Sequence, residues 1–490
     1  MKKITRRKFM KGSLVSGAGA AIASSFPGST WSKVLGANED IRVAVCGFNG
    51  QGGGHINRFR NIAGVRVAAL CDPDRNLLNR KAAEFARRNE KVETYTDVRQ
   101  LLENKNIDAI SIAAPNHWHA LMSIWACQAG KDVYVEKPVS HNIFEGRKIV
   151  EAARKYHRIV QAGTQYRSDK GMYETIDYLN EGHVGKIVAA RGFCYKRRAS
   201  IGKVKGPQPV PEAVDYNLWT GPAPLEALMR EKLHYDWHWV WPTGNGDIGN
   251  QGIHEMDMCR WSLGQELVAP RVMSIGGRFG YDDDGATANT QIGVLDYKPA
   301  PLIFEVRGLP RQTGTSSMDY YKTIDIGIVI ECEGGYYAGG RGGYVYDNEG
   351  NRMKRFLQEG PGQHQDNFID AVRSRKESDL TADILKGHIS SALCHMANIS
   401  HRLGRHCSPA EVRKAIEDRP LILEAFDRFQ QHLLANGVDI NQTGVILGPW
   451  LEMDPQTEKF IGSDDYGLHR FANELATSNY REPFVVPEKV

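Results

Sequence analysis

The 490-residue chain has no CxxC pair, no HExxH motif and no Cys/His cluster at zinc-binding spacing. Nothing in the sequence therefore points to a structural zinc site or a zinc hydrolase centre, and no metal is expected. The eight cysteines stand singly, at 46, 71, 127, 194, 259, 332, 394 and 407. Cys46 and Cys71 end short apolar runs, so these thiols read as small buried hydrophobes rather than a disulfide framework. A long apolar run is missing too. Residues 12–25 are rich in Gly, Ala and Ser, too short and too weakly apolar to span a bilayer, so no membrane span is expected. Nor is there a true surplus of one charge. The formal net charge is +4, but residues 1–37 hold seven basic residues and no acid, which leaves the remainder at −3. A nucleic-acid partner has no electrostatic support.

Those first 37 residues stand apart. A basic start is followed by a mildly apolar stretch, and residues 5–11, Thr-Arg-Arg-Lys-Phe-Met-Lys, resemble a twin-arginine export signal. Ala23 and Ala37 are the two candidate cleavage positions. The expected location is periplasmic or otherwise extracytoplasmic. Because the twin-arginine route carries folded proteins, such a signal suits a protein that takes up a nucleotide before export.

From residue 41 the pattern alternates between strand and helix. Apolar runs at 41–46, 65–71, 92–95, 108–113, 132–135 and 158–161 read as strands. Helical stretches reach to about residue 60 and cover 75–88, 98–104, 120–129 and 143–156, with a loop at 115–117. Short apolar strands separated by helices predict a parallel sheet covered on both faces, a doubly wound Rossmann fold of the α/β class. Past residue 165 strands at 187–193, 272–277, 291–296, 302–307 and 323–332 follow one another with fewer helices. They predict an α+β domain with a mainly antiparallel open sheet. Helices are expected at 366–374, 384–403 and 421–434, and then a polar, irregular tail. The expected layout is a signal at 1–37, an NAD-binding Rossmann domain at 38–165, a substrate and oligomerisation domain at 166–405, and a C-terminal extension at 406–490. Residues 196–241 form a long, weakly periodic excursion. Its tryptophans, Trp219, Trp237, Trp239 and Trp241, mark it as structured.

The turn after the first strand carries Gly47, Asn49, Gly50 and Gly52. It departs from G-x-G-x-x-G by Asn at the middle position, where Gly50 stands next door. Gly47 permits the tight turn, Gly50 allows backbone to approach a pyrophosphate, and Gly52 lets helix pack on strand. Asn49 tolerates positive φ better than most residues. Asp72 ends the second strand, where a carboxylate accepts from the adenosine ribose hydroxyls and repels a 2′-phosphate. NAD is therefore expected as cofactor in preference to NADP.

Two segments follow later strands, at the sheet edge where ligands bind in this architecture: Pro115-Asn116-His117-Trp118-His119 and Glu136-Lys137-Pro138. A lysine after a strand is usually solvated surface. Beside a cofactor, burial would lower its pKa and make it a proton-transfer group. With the block at 244–257, which holds Asn250 and His254, these segments resemble the glucose–fructose oxidoreductase and inositol dehydrogenase (Gfo/Idh/MocA) family over residues 40–405.

The resemblance implies that Lys137 orients a substrate hydroxyl and helps move its proton, with His254 as general base or relay. It implies that Pro115, Asn116 and His119 line the nicotinamide end and Glu136 the cofactor pocket. In the family an acidic residue stands four before the histidine, on the same helix face. Here that position is Asn250, counted with the catalytic set, and Asp247, two turns from His254, is the acid expected to compensate. Gln165, Arg167, Asp247 and Trp237 are the expected substrate contacts, although aromatics of the excursion serve equally well as loop core. The resemblance implies a homo-oligomer formed through the open sheet face.

The expected activity is NAD-dependent hydride transfer with a sugar or polyol, the cofactor tightly held. The alternatives are an NAD-dependent glycoside hydrolase or lyase that oxidises its sugar transiently, and a non-catalytic sugar sensor, which the presence of Lys137 disfavours.

Overall fold

The computed structural model describes residues 40–358, 363–462 and 467–490, so the candidate signal lies outside the described residues. The first unit builds a six-stranded sheet in the order β3-β2-β1-β4-β5-β6. Its elements are β1 (Ile41–Cys46), α1 (Gln51–Asn61), β2 (Val65–Cys71), α2 (Arg75–Ala86), β3 (Glu93–Tyr95), α3 (Val98–Glu103), β4 (Ala109–Ile112), α4 (Asn116–Gln128), β5 (Asp132–Val135), α5 (Ile143–Lys155) and β6 (Val160–Ala162). All neighbours pair in parallel. The central strands are buried on both faces, so β1, β4 and β5 read as continuous apolar runs. The order reverses between β1 and β4, and the crevice at such a switch point is where ligands bind. One boundary differs from the sequence reading. α4 starts at Asn116, one turn before the predicted 120, because Pro115 precedes the first turn with φ −59° and leads straight into the helix. Asn116, His117 and His119 are thereby on a helix rather than in a loop.

The second sheet has twelve strands. After α6 (Lys170–Asn180) come β7 (Ile187–Tyr195), the short helix α7 (Gly246–Asn250), α8 (Gly252–Ser262), β8 (Arg271–Gly277), β9 (Thr290–Leu295), β10 (Leu302–Arg307), β11 (Ile326–Cys332), β12 (Gly335–Gly340), β13 (Gly342–Asp347) and β14 (Arg352–Phe356). Then follow α9 (Gln363–Ser374), α10 (Ile384–Arg402), β15 (Arg405–Cys407), α11 (Pro420–Ala435), β16 (Val445–Leu447), β17 (Leu451–Asp454), β18 (Lys459–Ile461) and α12 (Leu468–Leu475). The main path runs β14-β13-β12-β11-β7-β10-β9-β8-β16-β15, antiparallel except where β7 meets β10. Residues alternate between faces: Leu302 and Phe304 point into the core under α8 and α10, whereas Ile303 points to the other side.

That other side is not open across β8–β10. Ile422, Phe426, Phe429 and Leu433 of α11 pack on Met273, Ile275, Ile292 and Ile303. The face expected to support association is covered there by the chain's own extension. The tail is also more regular than its sequence suggests. β16 and β18 have three residues each, too few to show alternation, and they become strands because neighbouring strands are there to pair with. The chain end then returns to the first sheet, where Phe484 is buried against Trp118 at 5.5 Å between ring centroids.

Candidate active site

A cavity of about 610 Å³ opens along the carboxyl edge of the first sheet and reaches α8 and the excursion. One end is built by the glycine turn. Gly47 has φ +74°, and a Cβ there would lie 2.7 Å from Ala114 backbone. A Cβ on Gly52 would lie 2.0 Å from the Gly47 carbonyl, so this glycine sets how closely α1 approaches β1 and does not line the cavity. Gly47, Asn49 and Gly50 do line it, and Gly50 is the N-cap of α1, where it offers no side-chain cap. Uncapped first-turn N–H groups beside glycines suit a pyrophosphate. Asp72 lines the same end. Its carboxylate accepts from the N–H of Asp74 at 3.0 Å and of Phe48 at 3.4 Å. Burial raises its pKa to about 6 although both N–H groups oppose the shift. These residues fit an adenosine diphosphate with a free ribose diol.

The other end is built from three strand ends and α8. Pro115 and Asn116 line the cavity, and Asn116 Nδ2 donates to Asn245 Oδ1 at 2.9 Å, tying α4 to the chain ahead of α7. His119 is also in the wall. Its ring nitrogens contact the carbonyls of Pro138 (2.6 Å) and Ala114 (2.7 Å). Burial lowers its pKa, so the ring is neutral and donates only one of those bonds. Glu136 accepts from His55 Nε2 at 3.0 Å and Gln165 Nε2 at 3.2 Å. Burial alone would raise this acid, but the His55 hydrogen bond, His55 itself and Lys137 pull it down to about 2.

Lys137 sits in the middle. The Lys137–Pro138 peptide is cis. The ammonium or amine Nζ donates to the Asn250 carbonyl at 2.6 Å, while Asn250 Oδ1 is 3.5 Å away. Burial lowers its pKa, against the opposing pull of Glu136 and Glu255. His254 faces the same cavity, 5.2 Å from the Tyr166 ring, with Nδ1 buried and without a hydrogen-bond partner among the described residues. Burial, and then Lys137, push its pKa down to about 3, so its ring is neutral. Gln165 and Trp237 line the cavity as well, Trp237 with its ring stacked on His238 at 3.6 Å.

Two of the expected substrate residues are not brought together with these. Arg167 is buried in a paired contact with Asp257, at 2.8 to 3.0 Å. Asp247 is buried and bound at both oxygens by Arg198, at 2.7 and 2.5 Å. Neither lines the cavity. Asp247 therefore does not stand in for the missing acid: both its oxygens are taken by Arg198, away from the cavity lining. Tyr166, beside Gln165 after the last strand of the first sheet, lines the cavity as its position in the sequence suggests, whereas sequence reasoning missed His55, Gln251 and Arg341. His55 had a local signal, a polar residue on the apolar stripe that α1 presents with Ile56 and Phe59. Arg341 had none, since it reaches Tyr166 (4.9 Å) from the turn between β12 and β13.

Comparison with known proteins agrees with this architecture. A family model described as an oxidoreductase family NAD-binding Rossmann fold matches residues 41–164, and its C-terminal alpha/beta domain matches residues 182–297. An inositol 2-dehydrogenase of Salmonella typhimurium is 27% identical over 180 residues, 36% of this chain and 52% of its own length. A glycosyl hydrolase family 109 protein of Shewanella sp. is 31% identical over 155 residues, 30% of this chain and 33% of its own. The chain thus spans about half the length, or less, of these curated relatives. The WlbA dehydrogenase of Bordetella pertussis, solved with NADH and UDP-GlcNAcA, shares the fold at a TM-score of 0.55 and 18% identity, covering 74% of this chain and 97% of its own. Residues 41–164 and 182–297 thus match, in order, the NAD-binding Rossmann domain and the C-terminal alpha/beta domain of the Gfo/Idh/MocA oxidoreductase family.

Proposed function

We propose that the protein is an NAD-dependent oxidoreductase that moves a hydride between a hydroxyl-bearing carbon of a sugar or polyol and nicotinamide. The observation that carries this reading is the shared cavity. Lys137, held at 2.6 Å by the Asn250 carbonyl, lies in the same space as the glycine turn and Asp72. Bound NAD would supply the hydride acceptor. Lys137 binds the substrate hydroxyl and, with its amine drawn below the ordinary lysine range, takes the hydroxyl proton. His254 is neutral and its Nδ1 has no hydrogen-bond partner among the described residues, which makes it the second proton acceptor at that end. Asp72 holds the ribose diol, and Trp237 and Tyr166 offer ring faces to a sugar. Inositol 2-dehydrogenase among the relatives supports a polyol substrate.

The match to a glycosyl hydrolase family 109 protein favours one second reading. In it the same groups oxidise a sugar transiently, eliminate the glycosidic substituent, add water across the resulting double bond and reduce again. Residues 1–37, with their Arg6-Arg7 pair, would export the folded protein with its nucleotide already held.

The test is to denature the purified protein and identify released nucleotide by mass spectrometry, then to screen polyols and glycosides. Stoichiometric NAD with NADH formation from a polyol supports the first reading. Sugar release without net NADH moves the assignment to the second. A protein that neither carries nor binds NAD sinks both.

A further inference from the structure

The connection between β12 and β13 is a single residue, Arg341, which stands between Gly340 and Gly342. Gly339 pairs with Gly343 and Gly340 with Gly342, so two glycines flank the arginine on each side. Three of the four are required by the geometry. A Cβ on Gly339 would lie 2.3 Å from the Gly342 carbonyl, and one on Gly343 would lie 2.5 Å from the Ala338 carbonyl. Gly342 has φ +71°, and a Cβ there would lie 2.7 Å from the Phe356 carbonyl. The hairpin tip is thus stripped of side chains except for one guanidinium. That guanidinium lines the cavity, over the Tyr166 ring at 4.9 Å, and the Tyr166 ring lies 5.2 Å from that of His254.

The surrounding charges set the class of ligand. Three acids line the cavity among the described residues, Asp72, Asp97 and Glu136. Asp72 belongs to the nucleotide end, Asp97 is bound by Arg99 at 2.6 Å, and Glu136 already accepts from His55 and Gln165. At the His254 end stand two cations, Lys137 and Arg341, and neither has a carboxylate within ion-pair distance among the described residues. Arg341 is exposed at the tip and always charged. A guanidinium fork matches the paired oxygens of a carboxylate or phosphate.

We propose that the substrate is an anionic sugar or polyol, one that carries a carboxylate or an ester phosphate, and that Arg341 binds this group. Tyr166 contacts both Arg341 and His254, so an acid group held by Arg341 belongs to a different part of the sugar from the hydroxyl at Lys137. The placement of that hydroxyl rests on the oxidoreductase reading, whereas the anion site at Arg341 does not.

Phenylglyoxal labels free guanidinium groups, and peptide mass spectrometry locates the label. The whole protein is labelled with and without added NAD, in the presence of D-glucuronate, glucose 6-phosphate, glucose or myo-inositol at equal ionic strength. One of the two anions should slow labelling of Arg341 at least about fivefold where glucose and myo-inositol change it by less than about twofold. Arg352, exposed on β14, should label at the same rate throughout. Stronger protection by glucuronate assigns a carboxylate, and stronger protection by glucose 6-phosphate assigns an ester phosphate. In a tryptophan-fluorescence titration Arg341→Gln should weaken the protecting anion about tenfold, the scale of hydrogen bonds to a charged group. Arg341→Lys, which keeps the charge without the fork, should lose less. No protection by either anion, equal protection by the neutral sugars, or an unchanged affinity in Arg341→Gln overturns the proposal. The labelling needs no variant to fold and no turnover. Oxidation of a neutral polyol with Arg341 unprotected keeps the oxidoreductase reading and removes this one, and protection without turnover does the reverse.

Discussion

Lys137 is held by the backbone of Asn250 and hardly by its side chain: Nζ donates to the carbonyl at 2.6 Å, while Oδ1 stands at 3.5 Å, the outer limit of a hydrogen bond. Asn250→Ala should therefore leave Lys137 in place and change turnover by less than about tenfold, within ~1.4 kcal/mol. Lys137→Ala should cost at least about a hundredfold while retaining bound nucleotide. Steady-state kinetics on the substrate found by the polyol screen, with mass spectrometry of released nucleotide, checks both. Equal losses for the two variants would show that the amide side chain acts directly.

Glu136 and His55 make a buried pair at 3.0 Å, with the acid drawn down to about 2. A carboxyl whose folded pKa is depressed stabilises the fold fully above its ordinary range and loses that stabilisation as pH falls toward the folded value. Removing one partner of such a pair costs on the order of 3 kcal/mol. Thermal unfolding of Glu136→Gln should lie well below wild type at pH 7, with the gap closing between about pH 4.5 and pH 2. A constant gap over that range would assign the loss to packing instead.

Asp72 is shifted the other way, raised by burial to about 6. In the proposed role its charged form would accept two ribose hydroxyls, so NAD binding should tighten as pH rises through about 6. Asp72→Asn should remove that pH dependence, weaken NAD by ~1.5–3 kcal/mol as expected for hydrogen bonds to a charged group, and narrow the preference over NADP. Titration of tryptophan fluorescence at pH 5 and pH 8 measures all three. A parallel loss for both nucleotides would contradict contact at the 2′ position.

What the sequence made legible follows from the range of the interactions. β1, the glycine turn, α1 and the acid ending β2 are contiguous, and their spacing is fixed by local geometry, so the meeting of Gly47, Asn49, Gly50 and Asp72 at one end of the cavity could be read from the sequence. Lys137 and His254 came from motif resemblance, and their meeting through Asn250 is a tertiary contact that neither segment encodes. The fates of Asp247 and Arg167 were hidden for the same reason, because Arg198 and Asp257 reach them from elsewhere in the fold. β12 and β13 escaped notice because their glycines interrupt alternation. The tail escaped because its strands are short and find partners only in the folded sheet.

The chain end gives the last prediction. Phe484 is 0% exposed, its ring edge-on to Trp118 at 5.5 Å and near Trp125 at 6.5 Å. Trp118 stands between His117 and His119 on the first turn of α4 and donates through Nε1 to the Trp219 carbonyl at 3.0 Å. Phe484→Ala should cost ~3–5 kcal/mol for the cavity it leaves, measured by denaturant unfolding. Because the ring also supports the turn that carries Asn116, the variant should bind NAD several-fold more weakly under conditions where it remains folded. Phe484→Leu, which refills most of the space, should recover both properties together. Recovery of stability without recovery of affinity would separate the tail from the site, and would make it a clamp on the first domain alone.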